Sequence, residues 1–287
     1  MRTLLPLLMT TAVSCTGKDD PGGDPGDTDT GAAVEEPRVG PTYSQGACPA
    51  MRDGELSFPT GDTEYEVELR IPENPQGAPV VFAWHWLGGS ASQAIRYMEL
   101  EELVGSDDVI LVIPESDGSQ FEWHFLDPAD GNPDLLLFDD LLSCLWQEHD
   151  VDLDRIHAIG MSAGGLMTSY LTVHRSEWLA STAPLSGGAI EGAYTSPADD
   201  IPVLMTWGGT RDTYGTLSFD DTSRYLTEAL RADGHFVVEC VHDEGHVLPS
   251  TGLQYAWDFL MAHPKGVDPS PYADGLPDDF PSWCIEP

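Results

Sequence analysis

Seven apolar, β-branched runs recur along the chain, at 65–71, 79–85, 109–113, 155–159, 179–184, 202–207 and 236–241, with more polar stretches between them. Continuous apolar runs of this kind suit strands buried on both faces, as in a parallel sheet covered by helices. The run at 65–71 alternates polar with apolar, which suits an edge or antiparallel strand. Helices are predicted at 92–104, 134–148, 162–173 and 219–232, with a last one at 252–262. Strands alternating with helices predict an α/β domain with a mostly parallel central sheet and helices on both faces. In open sheets of this class, sites form beyond the carboxyl ends of strands, so the loop after each strand is where chemistry is expected.

The run at 155–159 leads into Gly160-Met161-Ser162-Ala163-Gly164, directly before a predicted helix. Small residues on both sides of a serine permit a turn too tight for larger side chains, leaving the hydroxyl at its tip beside the first helix amides. That is the setting of a nucleophile elbow. A serine nucleophile needs a base and an acid that orients the base, and in this architecture the acid precedes the histidine along the chain.

The run at 202–207 exits into Gly208-Gly209-Thr210-Arg211-Asp212, which offers Asp212 as the acid. Asp220 and Asp221 are the fallback, although they read as the start of a helix. The run at 236–241 exits into His242-Asp243-Glu244-Gly245-His246, and His246 stands where the base is expected. His242 is still close to the strand and reads as a packing or solvent-facing residue, as do His124, His157 and His174. His242 and His246 with the carboxylates between them could resemble metal ligands, but Gly245 and a strand-to-loop setting lack the helical alignment of paired histidines, so no metal is expected. The backbone N–H of Ala163 and that of Leu87, in the loop after 79–85, are the expected oxyanion donors. Trp86, Trp123 and Trp207 fall at or beyond strand ends and are candidates for an aromatic pocket wall.

These segments resemble the α/β-hydrolase fold, specifically the poly(3-hydroxybutyrate) depolymerase and feruloyl esterase-like group. The resemblance rests on 80–91 (VVFAWHWLGGSA), 152–156 (DLDRI), the serine turn followed by Gly165-Leu166-Met167, 208–212 (GGTRD) and 244–246 (EGH). The loop 121–125 also resembles the Trp-bearing loop of that group. One departure is Trp86, where the group usually has glycine after the histidine. The resemblance implies a serine esterase acting through Ser162, His246 and Asp212 and an acyl-enzyme, with no cofactor. The short stretch between the runs ending at 184 and starting at 202 leaves no room for a large cap, so a polyester or the feruloyl and acetyl groups of a polysaccharide could enter. The same triad cuts peptides, and a binding module that kept the fold without activity is a further alternative.

The chain ends alter the picture of where such a domain would work. Arg2, the apolar stretch 3–13 and Ala12-Val13-Ser14-Cys15 resemble a bacterial lipoprotein signal, with Cys15 as the lipid-bearing residue after cleavage; ordinary export with cleavage nearby, leaving a periplasmic or extracellular protein, is the alternative. Residues 16–47 are rich in Gly, Pro, Asp and Thr and too poor in large apolar side chains to offset ordering entropy, so they read as a disordered tether before a catalytic domain at 48–287. The membrane would be met through that anchor alone, and a monomer is expected. Four further cysteines, Cys48, Cys144, Cys240 and Cys284, fit two disulfides in an exported protein, with three pairings open. A bond from Cys284 would hold the Pro-rich tail that follows Pro264.

Charge removes one class of partner. The net charge is -37, from 49 acidic and 12 basic residues, and most of the acids lie beyond residue 47. A field of that sign repels nucleic acid and other polyanions.

Overall fold

Val80–Trp84 (β3), Ile110–Pro114 (β4), Ile156–Met161 (β5), Ser181–Leu185 (β6) and Val203–Trp207 (β7) are buried at every position, the mark of strands covered on both sides. The computed structural model describes residues 38–102 and 107–285, and in it these strands form the middle of one nine-stranded sheet. Its order is β1-β2-β4-β3-β5-β6-β7-β10-β11, where β1 is Gly54–Thr60, β2 is Thr63–Arg70, β10 is Val237–Val241 and β11 is Cys284–Ile285. The neighbours from β4 through β10 run parallel, whereas β1, β2 and β11 pair antiparallel at the two edges. The alternation read at 65–71 has its counterpart in β2, where Tyr65, Val67 and Leu69 point inward.

Helices α1 (Ala91–Tyr97), α2 (Pro133–His149), α3 (Ala163–His174), α4 (Phe219–Ala232) and α5 (Gln254–Ala262) connect the strands. Two apolar clusters result, one on each face of the sheet. α2 starts on an Asn132 cap that accepts the amides of Asp134 and Leu135, with Pro133 at its first turn. The predicted 92–104 helix is broken after Tyr97, where Glu99 has φ 58°, and helical backbone resumes at 101–102. A small hairpin of β8 (Thr213–Tyr214) and β9 (Leu217–Ser218), unforeseen in the sequence, links β7 to α4.

Among the described residues, 38–47 already pack as part of the domain, ahead of the predicted boundary at 48. The Arg38 guanidinium bonds to the Leu153 carbonyl, to Asp154 at 2.8 Å and to the Glu177 carbonyl at 2.6 Å. Tyr43 is buried, and Ser44 bonds to Asp140 through both its amide and its hydroxyl. Arg38, Tyr43 and Ser44 therefore help hold a segment whose composition reads as linker. The signal-like stretch, Cys15 and the tether up to Pro37 lie outside the described residues.

The open pairing of the cysteines resolves as Cys48–Cys144 and Cys240–Cys284. The first ties the segment before β1 to α2. The second joins directly opposed residues of β10 and β11 and so fixes the tail to the sheet. Among the described residues no helix is long and apolar enough to cross a membrane.

Candidate active site

Ser162 sits between β5 and α3 with φ 60° and ψ -118°, a conformation that L side chains rarely adopt. The predicted helix begins one residue later than expected, because Ser162 is the turn itself. What holds that turn is close backbone packing. A methyl group on Gly164 would lie 1.9 Å from the Trp84 carbonyl oxygen, and one on Gly165 would lie 2.2 Å from that of Leu185. The glycines let α3 start directly against β3 and β6, and the Ser162 amide donates to Leu185 at 2.9 Å.

The three separated residues meet at the carboxyl ends of β5, β7 and β10. His246 Nε2 is 2.9 Å from Ser162 Oγ, and His246 Nδ1 is 2.6 Å from Asp212 Oδ1. Asp212 is fully buried, and its other oxygen accepts from the Ser186 hydroxyl at 2.7 Å and the Gly208 amide at 2.8 Å. With both oxygens engaged, the carboxylate has one orientation, and that orientation directs the imidazole. Phe219 stacks on the imidazole with centroids 4.5 Å apart and planes 11° apart. The loops that carry Asp212 and His246 touch through backbone: Gly245 donates to the Gly208 carbonyl at 3.0 Å, and a side chain on Gly208 would lie 1.9 Å from the Gly245 oxygen.

The fallback residues are employed elsewhere. Asp220 accepts from the Trp207 indole at 2.7 Å and from Arg224, while the Asp221 amide is capped by Ser218. His242 accepts the Glu244 amide at 3.2 Å, and burial lowers its pKa.

Leu87 and Ala163 border the same cleft as Ser162. The loop that carries Leu87 is held from outside by a feature invisible in the sequence. Glu122 accepts the Gly88 amide at 2.8 Å on one oxygen and the Ser116 hydroxyl on the other. Glu115 accepts the Ala91 amide at 2.8 Å and faces His85 Nε2 at 3.5 Å. Gly88 has φ 70°, so the turn needs glycine there.

The three tryptophans expected in the pocket wall do not line it. Trp123 is buried edge-on against Trp84, with its indole N–H on the His85 carbonyl at 2.9 Å. Trp207 is buried with its N–H on Asp220, and Trp86 turns toward Tyr97 and the core behind α1. A buried indole needs a partner for its N–H, and for Trp123 and Trp207 that partner lies inward. The aromatic lining comes instead from Phe121, Phe125, Tyr170, Tyr214 and Phe219. Phe121 and Phe125 stand two residues to either side of Trp123 and line the cleft, while Trp123 is buried behind it.

The cleft is about 770 Å³ in volume and mostly apolar in its lining. Its wall at 117–134 is strapped by His124, which meets Asp127 at 2.8 Å through Nδ1 and Asp117 at 3.0 Å through Nε2. Burial pulls the His124 pKa down, but the two carboxylates outweigh it and the net shift is upward. Asp134, which accepts the His124 amide, is pushed up to about 6 by burial.

No protein-family description matches the chain. The chain is 28% identical over 203 residues to an oxidized polyvinyl alcohol hydrolase of Pseudomonas sp, covering 52% of this chain and 53% of that one. It is 31% identical over 143 residues to a putative esterase, NocK, of Nocardia uniformis subsp. tsuyamanensis, covering 48% of this chain and 41% of that one. It is 27% identical over 120 residues to feruloyl esterase B of Thermothelomyces thermophilus, covering 40% and 41% of the two chains. The chain thus spans about half the length of the curated relatives it matches. Among solved structures, native pOPH superposes with a TM-score of 0.65 at 20% identity over 83% of this chain and 96% of that one. The acetyl xylan esterase of Aspergillus awamori superposes with a TM-score of 0.58 at 12% identity over 72% and 98%. The fold is that of the α/β-hydrolases, with no large cap among the described residues.

Proposed function

We propose that this chain is a serine hydrolase of carboxylic esters that works through Ser162, His246 and Asp212. The observation that carries the reading is the unbroken contact from the Ser162 hydroxyl through both nitrogens of His246 to a buried carboxylate, at the mouth of an apolar cleft. His246 takes the hydroxyl proton as Ser162 attacks the ester carbonyl, and Asp212 stabilises the imidazolium that forms. The Ala163 and Leu87 amides hold the oxyanion, each worth on the order of 3 kcal/mol. His246 then protonates the departing alcohol, and water attacks the acyl-serine by the same route in reverse. Every group this sequence needs is supplied by the chain itself.

Similarity to an oxidized polyvinyl alcohol hydrolase and to feruloyl esterases supports esters as the substrate class, either a polyester or the feruloyl and acetyl groups of a polysaccharide. Two disulfides and the signal-like N-terminus support export, with Cys15 as a lipid anchor and the acidic Gly/Pro segment as tether.

The test is labelling by a fluorophosphonate together with turnover of p-nitrophenyl butyrate and of a peptide anilide. Labelling confined to Ser162, with ester turnover exceeding amide turnover, is expected. An unlabelled protein would reject the nucleophile, and preferential amide cleavage would make it a peptidase.

A further inference from the structure

One stripe of α3 borders the cleft from end to end: Ala163, Leu166, Ser169, Tyr170, Val173 and His174. Spacings of three and four residues place these on a single helix face. At about 1.5 Å per residue, the stripe runs on the order of 17 Å away from the serine. The groove is therefore long, and its reactive group is at one end.

Among the described residues no lysine or arginine borders this groove. Asp127 is the sole carboxylate along it among the described residues, and its side chain is engaged by His124. The Tyr170 hydroxyl donates to the Asp127 carbonyl at 2.7 Å, which leaves its ring to the groove. His174, at the far end, has its pKa lowered first by burial and then by Arg175, so it is neutral near pH 7. At the mouth, Phe121, Leu126, Ile190 and Tyr214 are 42, 52, 48 and 59% exposed. Large exposed apolar side chains around a cleft mark a surface that is covered when the site is in use.

We infer that one arm of the ester binds as an uncharged, extended apolar chain laid along α3 from Ser162 toward His174. The inference rests on the esterase reading and narrows it. An acetyl group would leave most of the groove in water, and a chain ending in carboxylate would meet no cation in a strongly acidic protein. Among the ester classes in view, the groove favours a neutral chain of repeating apolar units over a short acyl decoration.

Two substrate series test this with the full-length protein: p-nitrophenyl esters from acetyl to dodecanoyl, which lengthen the acyl arm, and alkyl butyrates, which lengthen the alcohol arm. In one series kcat/KM is expected to rise at least about tenfold from the shortest to the eight-carbon member, since each added methylene is buried. An ester whose lengthened arm, in whichever series shows the rise, is tipped with carboxylate should be at least about tenfold poorer than its neutral counterpart of equal length, and Ile190→Arg should narrow that ratio by supplying a cation. Ala193→Trp, at another exposed position on the groove, should flatten the length profile. Flat profiles in both series, or a carboxylate-tipped ester as good as the neutral one, would overturn the inference while leaving the esterase reading intact. Absence of turnover for every member would overturn both.

Discussion

Two histidines in this molecule hold carboxylates at nearly equal distances and do different things. His246 meets one buried carboxylate through Nδ1 and leaves Nε2 to the Ser162 hydroxyl. His124 meets Asp117 and Asp127 through both ring nitrogens and faces no nucleophile. In the proposed mechanism the first is the base; the second is a strap across the loop that walls the cleft. Pairing with a carboxylate is therefore no sign of catalysis by itself. What separates the two is the partner of the second nitrogen and the rigidity of the frame: His246 follows a parallel strand, while His124 stands in a long loop between β4 and α2.

The sharpest test replaces each member of the contrast. Ser162→Ala or His246→Ala should lower kcat for a p-nitrophenyl ester by about 10⁴ or more with an unchanged circular dichroism spectrum, whereas His124→Gln should stay within about tenfold of the parent. Comparable losses at both histidines would erase the distinction. Next in size, Asp212→Asn should cost about 10³ to 10⁴ in kcat, because an amide no longer stabilises the imidazolium and allows the wrong tautomer. Asp117→Asn should leave kcat almost unaltered, and an equal loss there would mean that the strap is part of the machinery.

A smaller effect is expected from the residue that braces the Leu87 loop, the proposed oxyanion loop. Glu122→Ala removes the acceptor of the Gly88 amide and should lower kcat about tenfold with little change in KM, while Glu122→Gln, which still accepts a hydrogen bond, should recover most of it. Equal loss in both variants would assign the effect to charge and not to loop geometry.

The least effect concerns pH. His124 titrates above its usual value, so the strap's contribution is full below about pH 6.5 and is lost as pH rises through the elevated folded value. Asp134, pushed up to about 6 by burial, acts in the same direction: its contribution is full below its unfolded value and fades as pH climbs toward 6. Amide exchange in 117–131, corrected for its intrinsic pH dependence, should therefore quicken as pH is raised from 6 to 8, and His124→Gln should remove most of the trend above pH 6.5. An unchanged trend in that variant would show that the strap does not order the loop.

The central strands were legible because full burial leaves continuous apolar runs, and the positions of Ser162, Asp212 and His246 because each follows such a run. β1 was not, since Glu55, Ser57 and Pro59 on its outer face break up its inward residues. β11 is two residues long and is kept in place by Cys240–Cys284, which no hydrophobic pattern encodes. Ser186 and Glu122 escaped notice for a different reason: each acts on a loop distant in sequence, and only the convergence of strand ends brings them there. The tryptophans were misplaced because a strand-end position fixes a residue's location and not the side to which it turns. Arg38 and Tyr43 extend the domain into a segment of linker-like composition, since a few anchoring contacts can outweigh an average over many residues.

The joint between Gly208 and Gly245 has a consequence for how this chemistry could change. The loops that carry Asp212 and His246 are locked together main chain to main chain, without help from Ser162, so on the proposed mechanism the attacking atom is the exchangeable member of the three. A thiol at position 162 would find its proton acceptor already aligned, whereas any side chain at 208 would pry the acceptor from its counter-ion and disable every nucleophile alike.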